Sequence, residues 1–456
     1  MLINKLDNVE VNIEDGHKYA RVDIKAGENI IKYGQSIGHA LCDIKKGEHV
    51  HTHNIKTNLS GKLEYTYTPA KCNDEKEETP LTFEGYIRDN GEVGIRNDIW
   101  IVNTVGCVNK IAEKLASLTG AKSFPHPFGC SQLGDDQTIT QKILAAMVNH
   151  PNAGGVLVLG LGCENNNIDV FKTVLGSWDE KRVKFLNTQD FEDEIEEGVR
   201  LIEQLKENAA KAKRESVPVS RLRVGLKCGG SDGFSGITAN PLVGRFCDKL
   251  VSYGGSCALT EVPEMFGAEH LLMNRCIDEE TFNKTVKLIN NFKEYYIRHN
   301  QVVYENPSPG NKKGGITTLE EKSLGCVQKG GLSPVVDVLD YGDTLTKNGL
   351  SLLNGPGNDM VAVTNLMAAG VHMILFTTGR GTPLGSSVPT VKISTNAHLA
   401  EKKANWIDFD ASPFLDNIDL TDELIKYVID VANGTKTKNE INGYEEISIF
   451  KDGVTL

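Results

Sequence analysis

The chain repeatedly follows a short apolar run with a glycine-rich turn and then a helical pattern. The clearest case is LRVGLKCGGSDGFSGITANP, in which the apolar run ends at Cys228 and five glycines follow or flank it. That much glycine suits the interior of neither a helix nor a strand. Strands that alternate with helices favour largely parallel sheets, and such sheets bind ligands beyond the carboxyl ends of their strands. The sequence therefore predicts an α/β fold with its chemistry at strand ends.

The N-terminal segment has a different texture. DIKAGENI at 23–30 recurs as DIKKGEHV at 43–50, which predicts two similar strand–turn units packed on each other. The fold class that we expect is a small β-rich domain followed by two α/β domains with largely parallel sheets. The predicted division is 1–70 for the β domain, 71–82 for a polar linker, 83–215 for the first α/β domain and 216–456 for the second.

Composition excludes several classes of protein. The formal net charge is −12 and no Lys/Arg run is long, so we expect no nucleic-acid partner and no docking on an anionic membrane. No apolar run approaches the ~18 residues of a membrane span, and the N-terminus has no signal-peptide pattern. We therefore expect a cytoplasmic protein whose ten cysteines are thiols and not disulfides.

Four cysteines lie beside a glycine in strand-end or loop contexts, which packing alone does not require: Cys107, Cys130, Cys163 and Cys228. Thiolates favour iron, zinc or an iron–sulfur cluster, and no paired CxxC spacing indicates a structural zinc site. The thiols could bind a single ferrous ion, or three of the four could hold a cluster with one open iron. The remaining six are interpreted as structural, namely Cys42, Cys72, Cys247, Cys257, Cys276 and Cys326.

The run HVHTHN contributes a second candidate metal site. In a strand, His49, His51 and His53 would point to the same face. The alternative is an exposed polar strand face. His17 and His126 are weaker candidates, because a single histidine is usually just a satisfied polar group.

Fixed cations and carboxylates form the third group. Lys312 and Lys313 lie in NPSPGNKKGG, which is predicted to be a loop, and Arg380 lies between glycines after an apolar run. In an acidic protein they indicate an anionic ligand, although solvated surface loops are the alternative. Candidate proton carriers adjoin these turns: Glu164, Asp232, Glu261 and Glu264.

Taken together, these motifs resemble the altronate dehydratase family over nearly the whole chain. The segments that carry the resemblance include GHKYA, HVHTHN, TVGCVN, FGCSQLGDD, GLGCENN, CGGSDGFSGITANP, LTEVPEMFGAEHLLM, NPSPGNKKGG and FTTGRGTP. The resemblance implies a hydro-lyase that converts D-altronate to 2-dehydro-3-deoxy-D-gluconate and water in the galacturonate branch of hexuronate catabolism. It also implies ferrous iron and an N-terminal domain of the SAF type, which in the sulfo-lyases is a separate subunit.

The resemblance and the motifs together lead to the following predicted site residues. The candidates for proton transfer are His17, Glu164 and Glu261, in that order, with Asp232 added. Substrate binding is assigned to Lys18 and Tyr33 from the matching motifs, and to Ser231, Lys312, Lys313 and Arg380. The metal ligands are Cys130, Cys163 and Cys228, with His51 and His53 as the alternative set. The expected partner is a small sugar acid, and the family suggests a homo-oligomer.

Three other functions stay open on the sequence alone. The nearest is the same chemistry on another sugar acid, such as galactarate. The others are a non-catalytic protein that binds a sugar acid or a metal, and a zinc-dependent hydrolase. A simple binding protein needs fewer acid–base groups than the predicted strand ends carry.

Overall fold

The computed structural model describes residues 1–455 and begins with a β unit of two small sheets. One sheet has the order β1–β2–β5 and the other β3–β4–β6. Ile24 and Ile44 exchange backbone hydrogen bonds of 2.9 and 2.8 Å, so the two halves of the quasi-repeat pair with each other as predicted. The strands are β1 (Val9–Val11), β2 (Lys18–Ala20), β3 (Asn29–Lys32), β4 (Gln35–Ala40), β5 (His49–Val50) and β6 (Ile55–Lys56).

The middle of the chain forms a four-stranded parallel sheet of order β10–β9–β11–β12, flanked by helices. A three-stranded antiparallel sheet, β13–β7–β8, lies at its borders. The strands and helices are β7 (Thr82–Ile87), β8 (Val93–Gly94), β9 (Asp98–Asn103), α1 (Asn109–Thr119), β10 (Lys122–Ser123), α2 (Asp135–Asn149), β11 (Ala153–Gly160), α3 (Ile168–Leu175), β12 (Val183–Asn187), α4 (Glu194–Ala209) and β13 (Glu215–Pro218).

The C-terminal part is built on a seven-stranded parallel sheet of order β16–β17–β15–β14–β18–β19–β20. Its elements are β14 (Arg223–Cys228), α5 (Ala239–Ser252), β15 (Ser256–Leu259), α6 (Glu269–Met273), α7 (Glu279–Arg298), α8 (Pro309–Lys313), α9 (Leu319–Cys326), β16 (Val335–Leu339), β17 (Gly349–Leu353), α10 (Asp359–Ala368), β18 (Met373–Thr378), β19 (Thr390–Ser394), α11 (Ala397–Lys402), β20 (Phe409–Asp410), α12 (Thr421–Ala432) and α13 (Lys438–Asn442).

The order of the large sheet creates a crevice between β14 and β18. After β14 the chain moves to β15 on one side, and after β18 it moves to β19 on the other. Central strands such as β18 are buried along their whole length, as the near-continuous apolar runs of a doubly covered parallel sheet require. Ligands of open α/β sheets bind where the strand order reverses in this way.

The predicted fold class is confirmed, since an N-terminal β unit precedes two parallel sheets with helices. The predicted domain boundaries stay a prediction, and β13 pairs with β7 across the proposed middle domain. The predicted linker has no strand or helix before β7 begins at its last residue, Thr82, but Glu77 of that segment forms an ion pair with Lys249 at 2.7 Å. No helix among residues 1–455 is long and apolar enough to cross a membrane.

Candidate active site

The glycines after β14 are required because other segments pack closely against the backbone there. A Cβ on Gly233 would lie 1.9 Å from the carbonyl oxygen of Gly16 in the N-terminal β unit. A Cβ on Gly379, just after β18, would lie 2.1 Å from the Asp232 carboxyl carbon. The glycines therefore let the β unit and the β18 loop close onto the end of β14.

A cleft of about 880 Å³ opens at the carboxyl ends of the central strands. Its floor includes Gly229 and Gly230 after β14, and its walls come from the segments that follow β15, β17 and β18. The charged residues that line the cleft are Glu264, Glu305, Lys312, Lys322, Asp359 and Glu446. This is the crevice that the strand order creates, so the cleft is the candidate active site.

Two buried thiols meet beside the cleft. Cys228 Sγ lies 3.4 Å from Cys326 Sγ, and Lys329 Nζ donates a hydrogen bond of 2.8 Å to Cys228 Sγ. The hydrogen bond with Cys326 and the Lys329 ammonium lower the pKa of Cys228 to about 7, against burial and the charge of Glu264. The pKa of Cys326 is raised well above its usual value, so the pair shares one proton and Cys228 carries the thiolate.

Glu264 joins this pair to the cleft. Its Oε2 lies 3.2 Å from Cys228 Sγ, and its Oε1 pairs with Lys322 Nζ at 2.9 Å. Burial opposes ionisation, but Lys322 and Lys329 outweigh it and hold the pKa of Glu264 well below its usual range. A carboxylate therefore faces the cleft together with ammonium groups.

Glu261 is a proton carrier of a different kind. Its side chain is buried and pairs with Lys227 at 2.9 Å, and its backbone adopts the left-handed conformation at φ +66°. Burial and the neighbouring Glu264 charge raise the pKa of Glu261 well above its usual value. Its Oε1 has no hydrogen-bond partner in the described chain. Strained backbone and an unpaired buried carboxyl oxygen are typical of functional positions.

The histidine run does not form the predicted continuous strand. Asn54 closes a turn by accepting from the His51 backbone amide and donating to the His49 carbonyl, so β5 ends at Val50. The imidazoles still cluster: His17 Nδ1 lies 3.0 Å from His49 Nε2, and the His49 and His51 ring centroids are 5.2 Å apart. Burial lowers the pKa of His49 and of His51, so both rings are neutral near pH 7.

The histidine cluster touches the cleft through α8. His51 Nε2 donates a hydrogen bond of 2.8 Å to the carbonyl of Lys312, which lines the cleft. The prediction of a loop at Lys312 and Lys313 is wrong, because Ser308 caps a short helix with Pro309 at its first position. Lys313 is exposed.

Several predicted substrate-binding groups have other partners. Lys18 Nζ is buried between Glu321, at 2.8 Å, and the Gly315 carbonyl, at 2.9 Å. The Tyr33 hydroxyl packs where a Cβ on Gly236 would lie, at 2.3 Å. Ser231 is buried, and its carbonyl accepts from Asn311. Lys18 and Tyr33 join the β unit to the C-terminal part, Ser231 packs within the C-terminal part, and none of the three lines the cleft.

Arg380 follows β18, as the sequence predicts, and its side chain is exposed. Its backbone amide donates to the Gly230 carbonyl at 2.9 Å, which ties the β18 loop to the β14 loop.

Two of the predicted proton carriers, Asp232 and Glu164, hold loops in place through hydrogen bonds. Asp232 accepts hydrogen bonds from Ser235, Thr395 and the Phe234 amide, which organise the loop after β14. Glu164 accepts from Thr104 Oγ1 at 2.6 Å and from the backbone amides of the two residues that precede Cys163. Those bonds fold the turn after β11.

The predicted metal ligands lie in different places. Cys130 and Cys163 are exposed in loops of the four-stranded sheet, whereas Cys228 is buried beside Cys326. Across residues 1–455, the one set of three His, Cys, Asp or Glu ligand atoms close enough to share an ion is Cys228, Glu264 and Cys326. The structure therefore does not bring the three predicted thiols to one ion, and His51 and His53 form no such set either.

The donor types of the Cys228 set suit iron, but its charge does not. Lys329 pairs with the Cys228 sulfur and Lys322 with the Glu264 carboxylate, so a cation would have to displace both ammonium groups. This set therefore does not fit a resident metal ion.

Sequence reasoning missed much of the cluster beside the cleft. Cys326 was interpreted as structural, yet it shares a proton with Cys228. Lys322 and Lys329 lie in EEKSLGCVQKG, which has the charge pattern of a solvated helix. No local signal separates these buried charges from surface charges, because their partners lie far away in the sequence.

Comparison with known protein families finds matches along most of the chain. Three family models match: the altronate/galactarate dehydratase SAF domain at 3–58, the D-galactarate dehydratase/altronate hydrolase second domain at 85–210, and the D-galactarate/altronate dehydratase C-terminal domain at 219–455. The chain belongs to the altronate/galactarate dehydratase family.

Two altronate dehydratases in the family match nearly end to end. That of Bacillus subtilis is 54% identical over 98% of this chain and 93% of its own length. That of Escherichia coli is 52% identical over 99% of this chain and 94% of its own length. The galactarate dehydratase (L-threo-forming) of Escherichia coli is 32% identical over 93% of this chain and 87% of its own length.

Proposed function

We propose that this protein is a hydro-lyase that removes water from D-altronate to give 2-dehydro-3-deoxy-D-gluconate. The observation that carries the proposal is the 54% identity to an altronate dehydratase over 98% of the chain. Galactarate is the weaker substrate candidate, because the galactarate dehydratase is 32% identical. Lys312 and Lys322 line the cleft beside four acidic residues, and these two ammonium groups are the ones that can pair with a substrate carboxylate.

The reaction begins at the C2–H bond of the aldonate. That proton is poorly acidic because the adjacent carboxylate is already anionic, so the growing charge needs cations. Lys322 and Lys312 supply them from the cleft wall. His17 accepts the C2 proton, and His49 supports it through the ring contact of 3.0 Å.

Loss of the C3 hydroxyl needs an acid. Burial and the Glu264 charge raise the pKa of Glu261, which favours its protonated form, so Glu261 is the proposed donor of a proton as the C3–O bond breaks and water leaves. The remaining enol has a C2–C3 double bond. Return of a proton to C3 and loss of the enol proton give the 2-keto acid.

An iron requirement is part of the proposal. When bound, ferrous iron supplies Lewis-acid stabilisation of the charge that develops at the substrate carboxylate. We place the reaction in hexuronate catabolism in the cytoplasm and expect a homo-oligomer, on the strength of the family resemblance alone.

The first test is anaerobic turnover of D-altronate with and without ferrous iron, scored by formation of the 2-keto-3-deoxy acid. We expect iron-dependent product from altronate and at most slow turnover of galactarate. Binding of altronate without turnover would instead favour a binding protein, and activity retained with zinc in air would favour a hydrolase.

Glu261→Gln tests the acid. We expect kcat to fall by about 100-fold or more, in the range of general acid–base catalysis, with an unchanged melting temperature. Glu180→Gln, at an exposed glutamate, is the matched control and should keep full activity. A Glu261→Gln enzyme of normal kcat would remove Glu261 from the mechanism.

A further inference from the structure

Three exposed thiols lie at one end of the four-stranded sheet. Cys107 follows β9, Cys130 lies in the loop after β10, and Cys163 follows β11. These strands are neighbours in the order β10–β9–β11, and all run parallel. The carboxyl ends of the strands therefore bring the three loops to the same edge of the sheet.

Direct hydrogen bonds join the three loops. The Gly106 amide, next to Cys107, donates to the Phe128 carbonyl at 2.8 Å. The Asn166 amide donates to the Gly129 carbonyl at 3.0 Å, and the Ser131 amide donates to Asn165 Oδ1 at 2.9 Å. Each thiol is thus at most three residues from a bond to a neighbouring loop.

The backbone beside Cys130 includes a strained residue, Ser131. Cys130 is flanked by Gly129 at φ +101° and by Ser131 at φ +59°, and Ser131 is not a glycine. A Cβ on Gly129 would lie 1.9 Å from the Thr104 carbonyl oxygen in the Cys107 loop. Such strain persists where the surrounding structure needs a particular geometry, which is common at ligand sites.

Exposure of these cysteines is itself unusual, because free cysteine is among the most buried residue types. The carboxylate of Glu164 stabilises the Cys163 turn by accepting hydrogen bonds from the Leu161 and Gly162 amides. A turn held in this way, with its sulfur directed outward, suits a ligand for a metal centre better than a packing residue.

The three thiols do not form a set that could share one ion. In the described part of the chain, three ligand atoms close enough to share one ion occur at the Cys228 set and not at these thiols. An iron–sulfur cluster holds its thiolates farther apart, because each binds a different iron. We propose that Cys107, Cys130 and Cys163 bind a four-iron iron–sulfur cluster and leave one iron without a cysteine. The inference rests on the proposed iron dependence, but not on altronate being the substrate.

The test is cluster content. The full-length protein, reconstituted anaerobically with ferrous iron and sulfide, should show the visible absorption of iron–sulfide charge transfer and about four iron and four sulfide per chain. Cys107→Ala, Cys130→Ala and Cys163→Ala should each lose most of both. Cys42→Ala, at an exposed cysteine of the β unit, should keep them. The melting temperature of the metal-free variants checks that each still folds.

Thiol protection gives a second readout. Alkylation mapped by mass spectrometry should label Cys107, Cys130 and Cys163 in the metal-free protein and spare them after reconstitution, while Cys42 is labelled in both. Binding of a single iron or zinc without sulfide, or a cluster that survives all three substitutions, would overturn the proposal. Altronate turnover by a protein that contains no sulfide would contradict the cluster and leave the proposed function standing. A protein that holds the cluster but does not turn over altronate would contradict the proposed function and leave the cluster standing.

Discussion

Two contacts favour ionisation of Cys228 over its neighbour Cys326: the hydrogen bond from Cys326 and the ammonium group of Lys329. Lys329 lies 2.8 Å from Cys228 Sγ, and Cys326 can donate its proton to the same sulfur across 3.4 Å. The nearby Glu264 carboxylate opposes the thiolate. The balance leaves a single buried thiolate beside the cleft near neutral pH, where small changes of charge alter its population.

This balance predicts a titration near pH 7. The thiolate absorbance of Cys228 should appear as pH rises through about 7, its pKa in the folded protein. Lys329→Met should move that step to higher pH, because the lost ammonium no longer stabilises the anion. Ultraviolet difference spectra against Cys228→Ser measure the step.

Ionisation of Cys228 also makes the free energy of unfolding depend on pH. The pKa of Cys228 is lowered on folding from 9.0 to about 7, so its stabilising contribution is complete above pH 9 and declines as pH falls to about 7. Cys257→Ser is the control, because burial raises the pKa of that thiol and it should show no step in this range. An unchanged spectrum in Cys228→Ser would contradict the assignment.

At the scale of elements, helix α9 is buried along its whole length although it carries three charged residues. Glu321 lies between Lys18 and Lys32 of the β unit, at 2.8 Å from each. Burial alone would raise the pKa of Glu321, but the two ammonium groups hold it well below its usual range. The helix thus joins the β unit to the large sheet through a desolvated ion triad.

Glu321→Gln should destabilise the protein strongly, by about 3–5 kcal/mol, since it leaves two buried ammonium groups without their anion. Urea denaturation followed by circular dichroism measures the free energy of unfolding. The exposed pair Lys25–Asp43 supplies the control, and Asp43→Asn should cause no measurable change. A loss for Glu321→Gln no larger than that of the control would show that the triad does not hold the units together.

The elements also mark what the sequence could predict. Apolar runs that end in glycine located one strand end at Cys228 and another two residues before Arg380, because buried parallel strands need continuous apolar residues. The charges of α9 could not be recognised, since Glu321 meets lysines 289 or more residues away in the sequence. The turn at Asn54 broke the predicted histidine strand, because one side chain satisfied the backbone locally.

At the scale of the whole molecule, the N-terminal β unit completes the surroundings of the cleft. Its Gly16 packs against Gly233 of the β14 loop, and its His51 bonds to Lys312 at the cleft wall. Glu320 of α9 accepts from Thr57 at the end of the unit. The proposed base and the proposed acid therefore come from different parts of the chain, and catalysis requires that they stay docked.

Docking through noncovalent contacts predicts that the connection itself is dispensable. Gly61 lies in an exposed segment with open space around it, so a break between residues 60 and 61 should disturb no contact. Co-expressed chains of residues 1–60 and 61–456 should copurify and turn over altronate at a rate close to that of the intact protein.

Glu321→Gln should then act differently in the two formats. In the intact chain the tether keeps the β unit at an effective concentration in the range of about millimolar, so a weakened interface stays populated and much of the activity remains. In the split protein at micromolar concentration the same substitution should separate the chains and abolish turnover. Size-exclusion chromatography and the altronate assay measure both effects. If the split variant stayed associated and active, contacts other than the Lys18–Glu321–Lys32 triad would carry the docking energy.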